Sequence, residues 1–386
     1  MKLIANSVNM TETQTKPKDP EVPFRPVLIL DTPELKDYQA CLQHLFVGLA
    51  SDSFQSTLIC PPDAGAASVL CPSVDLVYHP LLKFPLFRSQ NRRSVLEKLT
   101  KFKPSVLHCF SSSKARLTRF LAETMNIPFL LTFNTTSKKK LTHLASSPNC
   151  ASLLALSSPI AEQLKTVHKN FNGSIEQLNT GTFVEDDCAC FSVDVPVRSM
   201  VVAQPLTNAN DFKALLNAVR HLVIDGYEFI LAIIGRGNAE REIHRMIKKL
   251  GLSQVVTIVP ELEPIRSVFS GADIFIQPHS RPEFNSPLLE AMGVGLVVAS
   301  CHDASEDLLV DNETTVFFDP YDELSVYNCL HNLLDDREFA RRIARNGQQY
   351  LRENYTVTGM VDSLMKYYQQ AQDWHSHQQE IKPVEE

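Results

Sequence analysis

Short β-rich runs alternate with helical runs along most of this chain, and this alternation constrains the fold more than any other feature of the sequence. Strands that are separated by helices typically pair in parallel, with the helices covering the sheet. The pattern therefore predicts an α/β fold with parallel sheets. The predicted strands are Val27–Leu30, Ser56–Cys60, Val74–Tyr78, Ser105–His108, Phe129–Thr132, Ser152–Leu156, Glu176–Leu178, Met200–Ala203, Phe229–Ile234, Val255–Ile258, Ile274–Gln277, Val297–Ser300 and Thr315–Phe318.

The helical runs lie between these strands and continue after the last one. A chain of 386 residues is too long for one ordinary core, so two Rossmann-like units in series are expected. We place them at residues 24–190 and 191–356, with 1–23 and 375–386 as tails and 357–374 as a separate last helix. The predicted helices are Lys36–Leu49, Arg92–Lys101, Lys114–Met125, Pro159–His168, Phe212–Val223, Ala239–Leu250, Pro287–Met292, Glu323–Asp335, Arg337–Glu353 and Val357–Trp374.

Composition and charge exclude several classes of protein. With 44% hydrophobic and 21% charged residues, the chain is globular. A net charge of −7 argues against a generic nucleic-acid binder, which needs a basic excess. The N-terminus lacks the apolar core of a signal peptide, and no apolar run reaches the ~20 residues of a spanning helix. We therefore expect a soluble, cytoplasmic protein with no transmembrane segment, and peripheral membrane contact stays open.

The second half carries a fixed order of short features that points to a known family. They are Val201-Val202-Ala203-Gln204, Ile233-Ile234-Gly235-Arg236-Gly237, Leu250-Gly251-Leu252, Gly271-Ala272-Asp273-Ile274-Phe275-Ile276-Gln277-Pro278, Phe284-Asn285-Ser286-Pro287-Leu288-Leu289-Glu290-Ala291-Met292 and Val310-Asp311-Asn312-Glu313-Thr314. In this order, residues 201–368 resemble the nucleotide-sugar half of retaining glycosyltransferases of family four. The resemblance implies the GT-B fold, in which two Rossmann-like domains face a cleft and the last helix returns to the first domain.

The sequence around Glu290 predicts a phosphate site at a helix start. Ser286 has a capping hydroxyl and Pro287 suits the first helical position, so the free amides that follow would face a diphosphate. The resemblance implies that Glu290 accepts hydrogen bonds from both ribose hydroxyls, and that the base is bound largely by backbone. The predicted donor-binding residues are Gln204, Gly235, Arg236, Arg281, Ser286, Pro287, Leu288 and Glu290, with Val259, Pro260 and Glu261 at the base.

Two departures from the family pattern affect the chemistry. The family glutamate eight residues before Glu290 is Pro282 here, and Glu283 stands one residue late as its candidate replacement. The Arg and Lys that clamp the leaving diphosphate in the family have no counterpart in residues 203–210. Because departure of a nucleoside diphosphate develops negative charge, another cation is needed. Arg281 is the first candidate and Arg236 the second.

The first half resembles the family's acceptor domain only faintly. His108 ends the predicted strand Ser105–His108 and is a candidate catalytic residue, together with Glu283. A histidine at a strand end is also a common packing residue, and this alternative stays open. Asn134 and Thr135 follow a strand on the expected acceptor side.

The leading hypothesis is a retaining glycosyltransferase that moves a sugar from a nucleoside-diphosphate sugar to a carbohydrate or other hydroxyl acceptor. No cofactor is implied, and the sequence contains no Asp-x-Asp triplet to bind a metal. The alternative is a catalytically impaired glycosyltransferase-like protein with a binding or scaffolding role, favoured by the missing clamp. A GT-B epimerase or phosphatase-like enzyme is a third hypothesis, since fold does not fix chemistry.

Overall fold

The protein consists of two parallel α/β domains. The computed structural model describes residues 24–62, 65, 72–80, 85–136, 147–192, 197–260, 264–302 and 307–381. The predicted tail at 1–23 and residues 382–386 lie outside these ranges. The strands are β1 Pro26–Ile29, β2 Ser56–Cys60, β3 Val74–Tyr78, β4 Val106–Cys109, β5 Phe129–Phe133, β6 Cys150–Ala155, β7 Ser174–Gln177, β8 Arg198–Ala203, β9 Phe229–Ile234, β10 Val256–Val259, β11 Ile274–Gln277, β12 Val297–Cys301 and β13 Val316–Phe318.

Helices cover the sheets, and most begin and end within a few residues of their predicted bounds. They are α1 Thr32–Asp37, α2 Gln39–Ser51, α3 Arg88–Phe102, α4 Ala115–Met125, α5 Ser158–Val167, α6 Lys213–Ile224, α7 Glu240–Lys249, α8 Ile265–Phe269, α9 Ser286–Gly293, α10 Glu323–Asp335, α11 Arg337–Asn354 and α12 Val357–Ile381, with single 3₁₀ turns at Pro85–Phe87 and Ala209–Phe212. The expected run Lys36–Leu49 divides into α1 and α2. Helix α12 continues through Ile381, so residues 375–381 are helical where a tail was expected.

The strand order of each sheet fixes where a ligand can bind. In the described part of the chain the first sheet runs β3-β2-β1-β4-β5-β6-β7 and the second runs β10-β9-β8-β11-β12-β13. Every neighbouring pair is parallel, for example β1 with β4 and β8 with β11. The order reverses between β1 and β4, and between β8 and β11. In such sheets, ligands bind beyond the carboxyl ends of the strands at this switch point.

The last helix returns to the first domain, as the resemblance implied. Helix α12 packs against α2, β4 and β6. The side chains of Met360, Val361, Leu364 and Tyr368 are buried there. They recur at intervals of three and four residues, which places them on one face of the helix.

The polar connecting stretch between β7 and β8, which joins the two sheets, packs on the second domain. The amides of Glu185, Ala189 and Cys190 donate to the carbonyls of residues 293, 294 and 295. Cys188 and Cys190 are buried in the core of the second domain. Eight of the nine cysteines lie within the described residues, and all eight are buried and outside any disulfide bond.

None of the helices in the described part of the chain combines the length and hydropathy needed to cross a bilayer.

Candidate functional site

A cavity of about 200 Å³ lies between the two domains, at the carboxyl ends of β8 and β9. We call it the first cavity. Helices α1 and α2 form its wall in the first domain, and the starts of α8 and α9 form its wall in the second. Its lining includes Lys36, Tyr38, Gln43, His44, Gln204, Gly235, Pro264, Ile265, Arg266, Arg281, Glu283, Ser286, Pro287 and Glu290. Most of the residues predicted to bind the donor are thus brought to one place.

Helix α9 begins one residue earlier than its sequence suggested. Asn285, not Ser286, is the capping residue, and its Oδ1 accepts from the amide of Leu288 at 3.3 Å. Pro287 has no N–H, and the amide of Leu289 donates to the Asn285 carbonyl at 3.4 Å. The sequence does not decide between these two residues, because asparagine and serine are almost equally good capping residues. At this helix start, Ser286 lines the first cavity, and its amide lies ahead of the first helical hydrogen bonds.

Glu290 is buried one turn into α9, where two side chains donate hydrogen bonds to it and a third lies close by. Its Oε2 accepts from Arg266 Nη1 at 2.8 Å, and its Oε1 accepts from the Thr182 hydroxyl at 2.9 Å. Nε2 of His44, on α2 of the first domain, lies 3.4 Å from Oε1 without hydrogen-bond alignment. Arg266 is itself anchored by Glu185, 3.0 Å away. The carboxylate thus joins both domains and the connecting stretch.

These contacts keep Glu290 ionised. Burial alone raises the pKa of a carboxyl group, because the charged form loses its hydration. Here the proximity of His44 and the Arg266 guanidinium outweighs burial and holds the pKa of Glu290 below its ordinary value. An ionised carboxylate oxygen accepts two hydrogen bonds, so Oε1 and Oε2 each retain capacity for a ligand hydroxyl.

The glycine turn after β9 serves close approach of two backbone segments. A Cβ at Gly235 would clash with the Gln204 carbonyl, and one at Gly237 would clash with the Leu206 carbonyl. Leu206 donates its amide to the Arg236 carbonyl at 2.9 Å, which locks the two loops together. Gly235 still lines the first cavity, so packing accounts for both glycines and ligand approach applies to Gly235 alone.

The cations around the cleft differ in position. Arg281 lines the first cavity and also the second cavity described below. Arg236 is exposed and lines neither of them. Lys36, which the sequence did not single out, reaches the first cavity from α1. The geometry therefore favours Arg281 over Arg236 as the replacement for the missing clamp.

A second cavity, of about 500 Å³, lies at the switch points of both sheets. Asn134 and Thr135 line it from the first domain, and Glu283 and Arg281 line it from the second. The two walls are joined directly: Thr135 and Glu283 form an antiparallel bridge. In this bridge the Phe284 amide donates to the Asn134 carbonyl at 2.8 Å, and the Thr136 amide donates to the Pro282 carbonyl at 3.0 Å. Glu283 lines both cavities and so stands between the expected donor and acceptor sides.

His108 is placed as a packing residue. Its side chain is fully buried, with Nδ1 2.9 Å from the Tyr368 hydroxyl and Nε2 2.6 Å from the Thr132 hydroxyl. Burial lowers the pKa of His108 to about 3. Neither cavity is lined by it. With both ring nitrogens occupied and no access to the cleft, the geometry gives no support to the catalytic role predicted for His108.

The residues predicted at the base are only partly placed. Val259 accepts the Gly235 amide at 3.0 Å through its carbonyl, Pro260 is exposed, and Glu261 lies outside the described residues. Pro264 and Ile265, at the start of α8, line the first cavity instead. The sequence signal that could have found them is the proline, which marks a helix start.

Within the ranges that the structure describes, no group of three or more His, Cys, Asp or Glu side chains is arranged to hold a metal ion.

The second domain is similar in sequence to known proteins. Residues 198–350 match the family described as Glycosyl transferases group 1. This match lies in the second domain and covers less than half of the chain. Among curated proteins, the chain is 25% identical to an alpha-D-kanosaminyltransferase of Streptomyces kanamyceticus over 159 residues, which are 40% of this chain and 41% of that protein. It is 22% identical to the lipopolysaccharide core biosynthesis glycosyltransferase LpsE of Rhizobium meliloti (strain 1021) over 203 residues, 52% of this chain and 56% of LpsE. The chain thus matches about half the length of these relatives.

Solved structures extend the likeness to both domains. A glycosyltransferase from Rickettsia africae ESF-5 superposes with a TM-score of 0.72 at 14% identity, covering 91% of this chain and 99% of that chain. Alr3699/HepE of Anabaena, in complex with UDP and glucose, superposes with a TM-score of 0.72 at 12% identity, covering 89% and 98%. The GT-B fold predicted from the sequence is confirmed. The alternative of an impaired, scaffolding protein finds no support in these comparisons.

Proposed function

We propose that the protein is a retaining glycosyltransferase of the family-four type, which moves a sugar from a nucleoside-diphosphate sugar to a hydroxyl acceptor. The observation that carries the proposal is the first cavity. There, Gly235, Ser286, Pro287 and Glu290 of the second domain converge on a space that the first domain closes. Because HepE was solved with UDP and with UDP-glucose, a uridine nucleotide is the first probe to use.

The nucleotide would occupy the first cavity. Glu290 retains capacity to accept from ribose hydroxyls, although Arg266 and Thr182 already donate to it. The base would lie against the apolar residues Pro264 and Ile265. Val259, Pro260 and Leu288, which the sequence also assigned to the donor, do not line this cavity.

The diphosphate would lie between Ser286 and Arg281. A helix start offers its dipole to an anion, but only part of the usual amide set is available in α9, so side-chain cations must neutralise more of the charge. Arg281 can grip phosphate oxygens in a bidentate manner. Lys36 faces the same space from the other domain and adds a second charge.

The transferred sugar would reach toward Glu283, at the border with the second cavity. The acceptor would enter that cavity beside Asn134 and Thr135. In a front-face reaction, the bond between the anomeric carbon and the diphosphate oxygen breaks while the acceptor hydroxyl attacks from the same face. The departing phosphate oxygen takes the hydroxyl proton, so no separate protein base is required. His108 has no part in this scheme.

Nucleotide binding and turnover test the proposal. Calorimetry with UDP, GDP and ADP, followed by hydrolysis assays with the matching nucleotide sugars, should show one nucleotide binding and slow release of its sugar. The anomer first formed, followed by NMR, should retain the donor's configuration. An inverted anomer would remove the retaining assignment. Binding of no nucleotide, with no turnover of any common sugar donor, would overturn the transferase proposal and leave the scaffolding alternative.

A further inference from the structure

His44 belongs to the first domain, but its ring is surrounded by residues from beyond that domain. Nε2 lies 3.4 Å from Glu290 Oε1, on α9. The ring packs edge-on against Phe183, in the stretch that connects the domains, with centroids 4.5 Å apart. Only 10% of the side chain is exposed. His44 is therefore fixed at the meeting point of both domains and the connecting stretch.

The Nε2 atom of His44 has no hydrogen bond to any residue that the structure describes. The residue lines the first cavity, and its Nε2 atom is buried beneath that lining, so a ligand hydroxyl reaches this nitrogen only after a small shift of the ring or its neighbours. Leaving a buried polar group unpaired costs about 1 to 3 kcal/mol. Such a group beside a carboxylate with spare acceptor capacity is suited to a ligand that both donates and accepts.

A hydroxyl group meets both demands. Its O–H can donate a hydrogen bond to Glu290 Oε1, and its oxygen can accept one from the Nε2–H of His44. An oxygen at about 2.8 Å from each atom, a typical hydrogen-bond length, forms a compact triangle on the 3.4 Å that separates them. A hydroxyl can therefore bridge this pair once the imidazole or a neighbouring side chain shifts to admit it.

We propose that His44 is a nucleotide-binding residue supplied by the first domain, and that it donates to a ribose hydroxyl that donates in turn to Glu290. The inference rests on the proposed function, since it needs a nucleotide in the first cavity. It goes further by assigning part of the nucleotide site to the domain expected to hold only the acceptor. The ribose site is then complete only when His44 and Glu290 are brought together across the cleft.

A thermodynamic cycle between a ligand hydroxyl and His44 tests this assignment. Calorimetry would compare whichever of UDP, GDP and ADP binds best with its 2′-deoxy and 3′-deoxy forms. The wild-type protein should bind the full ribonucleotide about tenfold more tightly than at least one deoxy form, as expected for one hydrogen bond. In His44→Ala that preference should fall to about twofold. His44→Gln retains an N–H donor and should keep part of the preference.

The controls separate this role from others. His221→Ala removes a half-exposed histidine on α6 that pairs with Glu323 outside both cavities, and it should leave the preference unchanged. If His44→Ala weakens the ribose and deoxyribose forms equally, His44 only holds the domains together and the proposal fails. The proposal also fails if His44→Ala leaves the preference unchanged. If the wild-type protein binds no nucleotide, the proposed function itself fails and His44 loses its role with it.

Discussion

Replacing Glu290 by Gln keeps the volume of the side chain and removes its charge, so it probes the ion pair at the centre of the site. Breaking a buried pair typically costs about 3 to 5 kcal/mol when the remaining charge is stranded. Arg266 is not stranded, because its side chain is 19% exposed and its Nη2 still donates to the Phe183 carbonyl at 2.6 Å. Thr182 can still donate to the amide oxygen. We therefore expect a loss of about 1.5 to 3 kcal/mol in the free energy of unfolding, the range for hydrogen bonds to charged groups.

The pH dependence of this loss has a defined direction. The folded-state pKa of Glu290 lies below the unfolded value, so the stabilisation is fully present above the unfolded pKa, at about 4.5. It disappears as the pH falls through the lowered folded pKa. The stability difference between the wild-type protein and Glu290→Gln should hence be constant from pH 7 to about 5.5 and shrink below about 4.5.

Denaturant unfolding at a series of pH values measures the stability loss in Glu290→Gln and its pH dependence. Calorimetry of the same variant measures nucleotide affinity. Glu290→Gln should weaken binding by about 1.5 to 3 kcal/mol, or about 10- to 150-fold, if a ribose hydroxyl donates to the carboxylate. The same range is expected for Glu290→Ala, which also removes the charged acceptor. A Gln variant as stable as the wild-type protein at pH 7 would refute the ion pair. Unchanged affinity in a folded variant would refute the ribose role.

Two further predictions concern the cation and the buried histidine. Arg281→Gln should lower the affinity for a nucleoside diphosphate by about 10- to 150-fold and the affinity for the nucleoside much less. The matched control Arg236→Gln should change neither affinity. Equal effects of the two substitutions in calorimetry would contradict the clamp assignment. His108→Ala should lower the free energy of unfolding by about 3 kcal/mol, because it leaves the Thr132 and Tyr368 hydroxyls buried without their partner. Turnover per folded molecule should be unchanged. Loss of turnover in a stable variant would restore the catalytic role. Because the pKa of His108 is lowered to about 3, its contribution to stability should fall as the pH drops from about 6.5 toward 3, and His108→Ala should lack that component in the same unfolding series.

Elements with a strong apolar pattern could be predicted from the sequence closely. Strands β2, β9 and β11 and helix α10 begin and end at the predicted residues. The three strands are short β-rich runs, and α10 is an amphipathic helix that begins after the capping residue Asp322, so local sequence determines their ends. Helix α8 was missed because its five residues are too few to show a helical period.

The half of the site on the second domain was predictable for a similar reason. Gly235, Arg281, Ser286 and Glu290 follow strands or begin a helix, and the parallel topology brings those positions to one edge of the sheet. His44 could not be found in this way. It lies within a helix whose apolar period indicates burial but not the neighbour, and its contact with Glu290 joins residues 44 and 290 only through the tertiary fold.

The segment from Arg281 to Glu290 connects the two cavities, and both of its ends touch the first domain. At one end, Glu283 forms a backbone bridge with Thr135. At the other, Glu290 meets His44. The Asn285 cap and the first turn of α9 lie between them. A nucleotide bound at Glu290 and His44 and an acceptor bound beside Glu283 would therefore contact one continuous segment. A transferase that places the carboxylates of Glu283 and Glu290 on this segment would thereby couple the donor side of the cleft to the acceptor side.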